Sequence, residues 1–459
     1  MIQRSLPLLF LVCSMILLIS TAFAQSPSTG PYTQVATFGR GAVRSVAWSP
    51  DGQVIAVGST VGIWLYSSTF EPAGVLTGHT RAAYALDFSP EGTRLASASH
   101  DQTVRLWDIA TQTELAMLEG HTDLVVAVDW SPIGEVIASG GYDRTVRLWD
   151  AISGEARGVL AGHADWVSDV AFSPDGALLA SASYDGAVRV WDVRSRTLRT
   201  VLEGHAGPVL AVSFTDSDTL VSAGWDGTVR QWSLSGMRET LVVQAHDAVI
   251  YDLAWSASAG LFATASWDGT ARIWQGRDLR AAESLSGHTG YVHRVAWRPD
   301  GTQLATLGWD DTVRFWAMPG GAPAGALDAH MDTVEALAWS ADGRVLTAVT
   351  LDGRALLWDT VTGDLLRATQ GRAVASPTAA TNPAGTRRAE IDAGGIVRLI
   401  DSHTGAVLAE LPGRANAVSW SVDGRLAVAL RSGTIAIWVT PLPAKAGSFP
   451  GYARRNRPR

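Results

Sequence analysis

Seven histidines stand in step along the 459-residue chain: His79, His121, His163, His205, His246, His288 and His330, spaced 42, 42, 42, 41, 42 and 42 residues apart. Gly precedes five of them and Ala the other two (Ala245, Ala329). A tryptophan follows each after 27 or 28 residues, at Trp107, Trp149, Trp191, Trp232, Trp274, Trp316 and Trp358. Histidine is the side chain best suited to proton transfer and metal ligation near neutral pH. The constant period argues against that use here, because seven identical copies cannot all be active sites; it assigns them to a repeated scaffold. The sequence also holds no G-x-S-x-G, no H-E-x-x-H, no phosphate-cradling loop and no calcium-loop motif. The single cysteine, Cys13, lies in the N-terminal apolar segment. A chain cleaved behind it has no thiol for disulfides, zinc or nucleophilic chemistry. We therefore expect no enzyme, no cofactor and no metal.

The elements that position these residues read as strands. In the fourth unit an alternating run, Trp166 to Ser173, is followed by a Pro-Asp-Gly turn at Pro174 to Gly176. A small-residue strand (Leu178 to Ser183), an Asp185-Gly186 turn, a third strand ending at Trp191-Asp192 and a fourth apolar stretch (Leu198 to Leu202) complete it. Asp-Gly between two such runs is a strong hairpin signal. The period extends to Gly39-Arg40, Arg372 and Arg414, giving ten units, with further closing tryptophans at Trp64 and Trp438. The outer units are degenerate, as terminal repeats are; unit nine has Gly394 and Ile400 where Asp and Trp stand elsewhere.

With its Gly-His opening and Trp-Asp close (107–108, 149–150, 191–192, 358–359), the pattern resembles the WD40-repeat family of β-propellers over about residues 32 to 440. Ser233, Gln275 and Ala317 depart from the closing Asp. The resemblance implies an all-β propeller of four-stranded antiparallel blades. It also implies a hydrogen-bonded His-Asp-Trp set in seven units: His79/Asp101/Trp107, His121/Asp143/Trp149, His163/Asp185/Trp191, His205/Asp226/Trp232, His246/Asp268/Trp274, His288/Asp310/Trp316 and His330/Asp352/Trp358. A strand serine, Ser181 or Ser183 in unit four, completes the set. These Ser-His-Asp triples invite a hydrolytic reading, which their sevenfold repetition rejects. About ten blades are expected, with a single ring favoured because the chain opens on a strand of the fourth type and ends on one of the third. A seven- or eight-bladed ring with extra units is the alternative.

Residues 1–24 read as a cleavable signal peptide: Arg4, an apolar run from Leu6 to Ile19, and an Ala22-Phe23-Ala24 site. The expectation is an exported, bacterial-type family member, secreted or periplasmic, with no membrane span after cleavage. Residues 25–31 are expected to form a short linker, 32–440 the propeller, and 441–459 a Pro/Arg-rich disordered tail. The net charge of -8, or -9 once Arg4 is removed, argues against a nucleic-acid partner.

Function is then expected on one face. In propellers of this kind that face is built partly from the residue before the turn Asp and from residues opening the first strand. The first set supplies His100, Tyr142, Tyr184, Trp225, Trp267, Trp309 and Leu351; the second supplies Trp166, Tyr251, Tyr291 and His293. Tyr142, Trp166, Tyr184, Trp225, Tyr251, Trp267, Tyr291, His293 and Trp309 are the candidate contacts, since aromatic rings are enriched at binding hot spots. Packing between units is the competing role for the same rings. His100 and His403 are expected at the surface. The expected partner of this scaffold, itself expected to be a monomer, is a protein or peptide; a glycan, stacked on the rings, is the second reading. A channel-sited hydrolase is the third, opposed by channel-facing residues that read as small and apolar, as in Val167 to Ala171.

Overall fold

Unit four shows why the repeat becomes a sheet. Its strands are Val167–Phe172, Leu178–Ser183, Ala187–Asp192 and Thr197–Glu203, all antiparallel to their neighbours. Ser173 donates to Asp175 at 2.6 Å and Asp175 accepts from the Ala177 amide at 3.0 Å, fixing the first turn. Gly186 has φ +85°, a left-handed conformation that glycine adopts without strain. Every residue of the second strand is buried, while the fourth strand is mostly exposed. The strands therefore run from the axis outwards.

The computed structural model describes residues 33–38, 40–327, 330–331, 334–340, 342–350, 354–370, 379–421 and 423–439. The expected signal peptide, linker and tail, and with them Leu351 and Asp352, lie outside the described residues. Ten four-stranded sheets are present among the described residues. We number them I (43–76), II (83–118), III (125–161), IV (167–203), V (209–244), VI (250–286), VII (292–327), VIII (334–370), IX (379–411) and X (415–439 with 33–38). In sheet X, Thr33–Phe38 pairs antiparallel with Thr434–Val439, so the two ends of the repeat array share one sheet. No helix of the described residues is long and apolar enough to cross a membrane.

Sheets I to VII pack in chain order through their first strands, and sheet VII packs back on sheet I. In that last seam Val43, Trp48, Ile55 and Tyr66 meet Ala305, Leu307, Val313 and Phe315. Trp48 lies edge-on to Phe315 at 5.9 Å and Phe70 stacks on it at 4.3 Å. These aromatic rings cover the face of sheet VII that a ten-unit ring would need for sheet VIII. The favoured ring of ten is thus corrected to the alternative: a cycle of seven with three units over.

The remaining sheets form a second group, with X packed between VIII and IX. The far face of sheet IX carries the ion pairs Arg388–Glu390 and Arg398–Glu410, as a terminal repeat facing solvent should. The two groups meet at a joint. His330 Nε2 lies 2.9 Å from the Tyr66 hydroxyl and its Nδ1 lies 3.2 Å from the Gly41 carbonyl. The Arg40 guanidinium covers the rings of Trp64 and Tyr66 at 5.2 and 5.1 Å.

Candidate docking face

Six of the seven histidines sit in the same network. His79 Nδ1 contacts Asp101 at 2.8 Å and Nε2 contacts Ser97 at 2.7 Å, while Trp107 donates to Ser97 at 2.7 Å. The pattern recurs at His121 with Asp143, Ser139 and Trp149, and at His163 with Asp185, Ser181 and Trp191. It recurs again at His205 with Asp226, Ser222 and Trp232. Threonine takes the serine place at His246 (Asp268, Thr264, Trp274) and at His288 (Asp310, Thr306, Trp316). In unit four the hydroxyl is Ser181; Ser183 instead donates to the Asp165 carbonyl. Asp101, Asp143, Asp185, Asp226 and Asp310 also pin the loop after the histidine, as Asp185 does by accepting from the Ala164 amide at 3.0 Å. Burial opposes ionisation of Asp101, Asp143, Asp185, Asp226 and Asp310, but bonds from the imidazoles and turn groups hold them well below the usual carboxylate range.

His330 is the exception and a correction. Ala348 occupies the serine place, opposite Leu356 as Ser97 is opposite Arg105, so no hydroxyl is offered and the imidazole serves the joint instead. Burial and the neighbouring Arg40 charge push His330 down to about 3, so it stays neutral.

Above these networks the turns carry the aromatic positions. Tyr142 stacks on Trp166 at 4.0 Å and 2°, Trp166 meets Tyr184 edge-on at 5.2 Å, and Tyr184 meets Trp225 at 6.4 Å. A second cluster has Trp267 between Tyr251 (6.2 Å) and Tyr291 (5.2 Å), with Trp309 5.2 Å from Tyr291. Tyr291 and Trp309 are 42% and 44% exposed, making them the outward points of the layer; the other rings are half-buried. The half-buried rings therefore take the packing role and hold the exposed pair in place.

Two histidines depart from expectation. His293 is only 5% exposed, edge-on to Tyr251 at 6.4 Å, and is not a surface contact. His100 stacks on Tyr84 at 4.3 Å; burial, then Arg44 and Arg81, push it down to about 4. His403 is exposed.

At the axis the rings converge. Tyr84, Val126, Tyr142, Ser168, Tyr184, Leu210, Tyr251 and Arg294 line a cavity of about 20 Å³, room for about one water. The Tyr84 and Tyr251 hydroxyls are 3.5 Å apart, and the Arg294 guanidinium lies 5.7 and 5.4 Å from the two ring centres. The candidates Tyr142, Tyr184 and Tyr251 thus border the channel mouth. Tyr84 and Arg294 were missed as members of this site, although Tyr84 holds the place in its unit that Tyr251 holds in sheet VI.

The innermost strands are not simply small and apolar, which corrects that expectation. Asp87, Asp129, Asp169 and Asp252 each accept a backbone amide from the first strand of the next sheet, at Trp130 (2.6 Å), Phe172 (2.6 Å), Val212 (2.9 Å) and Val295 (2.9 Å). Burial pushes Asp87 up to about 6; burial and the nearby Asp252 push Asp169 up to about 8. These carboxyls are clamps between sheets, each tying neighbouring strands together. No group of three or more His, Cys, Asp or Glu placed to hold a metal ion occurs among the described residues.

Comparison with known proteins agrees with this architecture. Residues 106–277 match the family model described as the first β-propeller of IFT122, and residues 32–60, 70–108, 280–317 and 321–359 match the WD domain, G-beta repeat. A probable cytosolic iron-sulfur protein assembly protein 1 of Cryptococcus neoformans is 32% identical over 104 residues, 15% of this chain and 24% of that protein. Mouse coronin-7 is 40% identical over 102 residues (20% and 11%), and Drosophila protein Notchless 55% over 38 residues (8% of each). The chain thus spans a quarter or less of the length of these relatives. All three are eukaryotic and give the bacterial-type, exported expectation no support. What the fold and the matches establish together is that the chain contains WD40 repeats and an IFT122-type β-propeller segment within an all-β architecture of four-stranded sheets.

Proposed function

We propose that the chain is a non-catalytic scaffold that binds a protein or peptide on the aromatic face of sheets III to VII. The single observation behind this reading is the exposed pair Tyr291 and Trp309, backed by the half-buried rings of Tyr251 and Trp267. Aromatic anchors of this kind dominate interfaces because they bury large area at small entropic cost. WD40 propellers typically bind proteins, which supports the same reading. Trp309→Ala with Tyr291→Ala removes the exposed anchors and leaves the buried networks intact. Affinity for a captured partner should fall at least about thirtyfold, the loss of one hot spot of about 2 kcal/mol. Unchanged affinity with unchanged circular dichroism rejects the face. A glycan array on the same pair of proteins tests the second reading, in which the exposed rings stack on sugar. Export is part of the proposal and rests on residues 1–24 alone.

A further inference from the structure

The channel mouth holds a cation whose hydrogen-bonding fork is unfilled. Arg294 donates one hydrogen bond, a 3.3 Å contact to the neighbouring His293 carbonyl. Among the described residues no carboxylate oxygen lies within 4.0 Å of its guanidinium nitrogens. Asp169 and Asp252 are the nearby acids, and each of their oxygens accepts a backbone amide. Asp169 accepts from Val170 and Val212, and Asp252 from Leu253 and Val295. Neither acid comes within 4.0 Å of the guanidinium nitrogens, which leaves its planar donors open. Arg294 is half-buried and none of its nitrogens is both buried and unbonded, so its unused donors face water, and a planar acceptor that replaces that water is their natural complement.

The surroundings fit the same acceptor. Tyr84 and Tyr251 flank the guanidinium with their ring faces. Their hydroxyls, 3.5 Å apart, line the small cavity together with Ser168, Tyr142 and Tyr184. Hydroxyls can donate to an anion as readily as they accept. The cavity, of about 20 Å³, has room for about one water, so an anion would seat one oxygen in it and keep the rest of its head group above, against the guanidinium. A cationic head is disfavoured there by Arg294 itself, and an apolar one would leave its donors unpaired.

We propose that Arg294, with the tyrosine hydroxyls at the channel mouth, receives a carboxylate of the bound partner: an aspartate or glutamate side chain or a free C-terminus. The proposal rests on this being the docking face, but its test needs no partner. The full chain, labelled with ¹⁵N-arginine, is titrated with acetate and separately with inorganic phosphate at constant ionic strength. The Arg294 Nε–H signal, assigned by its absence in the spectrum of Arg294→Lys, should move saturably with acetate. Acetate should also raise the melting temperature of the wild type, as a ligand of the native state must. That rise should disappear in Arg294→Gln and shrink severalfold in Arg294→Lys, which keeps the charge and loses the fork. If Arg294→Gln does not fold, Arg294→Lys decides alone. Absence of saturation with either anion, or an undiminished rise in Arg294→Lys, overturns the proposal. Saturation by phosphate without acetate overturns the carboxylate assignment in favour of a phosphate group. A negative anion result leaves the Trp309 and Tyr291 experiment standing, so the two readings fail separately.

Discussion

Removing one buried hydroxyl tests how the repeat networks hold the sheets. In unit four Ser181 contacts His163 Nε2 at 2.7 Å and accepts from Trp191 at 2.9 Å, and all three side chains are buried. Ser181→Ala leaves a buried imidazole nitrogen and a buried indole N–H without partners. Each such group costs about 1–3 kcal/mol, so the pair should cost about 2–6 kcal/mol. Sheets I to VII span residues 43–327. At about 2.1 cal/mol/K per residue their unfolding entropy is about 0.6 kcal/mol/K, which converts the loss to a melting-temperature drop of about 3–10 °C if they unfold together. Ser181→Thr is the control, because Thr264 and Thr306 fill this place in sheets VI and VII. It should melt within about 1–2 °C of the wild type on the same entropy. Differential scanning calorimetry of the three proteins gives the answer. A Ser181→Ala protein that melts with the wild type, or a Ser181→Thr protein that falls as far as Ser181→Ala, refutes the reasoning.

Two further changes have definite signs. Arg144 stands at φ +65° where sheets IV to VI place Gly186, Gly227 and Gly269, so Arg144→Gly should stabilise by about 0.5–1 kcal/mol; a lower melting temperature would show that the Arg144 side chain contributes more than its backbone costs. Asp169 is raised to about 8 in the fold by burial and Asp252, so its ionisation opposes the folded state. The stability it supports is full below the ordinary aspartate range and lost as pH rises towards 8. His330 and His100, held neutral, act in the opposite sense around pH 6.5 and are common to both proteins. The stability of Asp169→Asn relative to the wild type should therefore increase between pH 5 and pH 8 in urea unfolding, and a pH-independent difference contradicts the assignment.

Much of the fold was legible because the repeat writes the same physics many times. Strand order, the Asp-Gly turns and the pairing of the N-terminal strand with Thr434–Val439 follow from local pattern and from the strand types at the two ends. The size of the cycle does not, because it depends on which distant face fits sheet VII. Trp48, Phe70 and Phe315 decide that across more than 240 residues of sequence, and no periodicity reports it. His330 was misread for a related reason: its spacing is regular, but Ala348 removes the hydroxyl and Tyr66 supplies another from a remote sheet. The aromatic layer was legible as a set of positions, since every Asp-Gly-type turn presents the residue before it. His293 was misplaced because the opening residues of the first strand turn towards the axis, where some line the mouth and others are buried. The axial carboxyls left a signal that went unread: Asp87 and Asp129 interrupt otherwise apolar strands, which calls for a buried partner.

The central claim is that a protein partner lies on the aromatic face, and hydrogen exchange of the full chain with and without that partner tests it most directly. Protection should appear in the turns at 142–144, 184–186, 225–227, 267–269 and 309–311 and at Tyr291, and should be absent from the exposed fourth strands. Protection confined to those outer strands or to sheets VIII to X would contradict it.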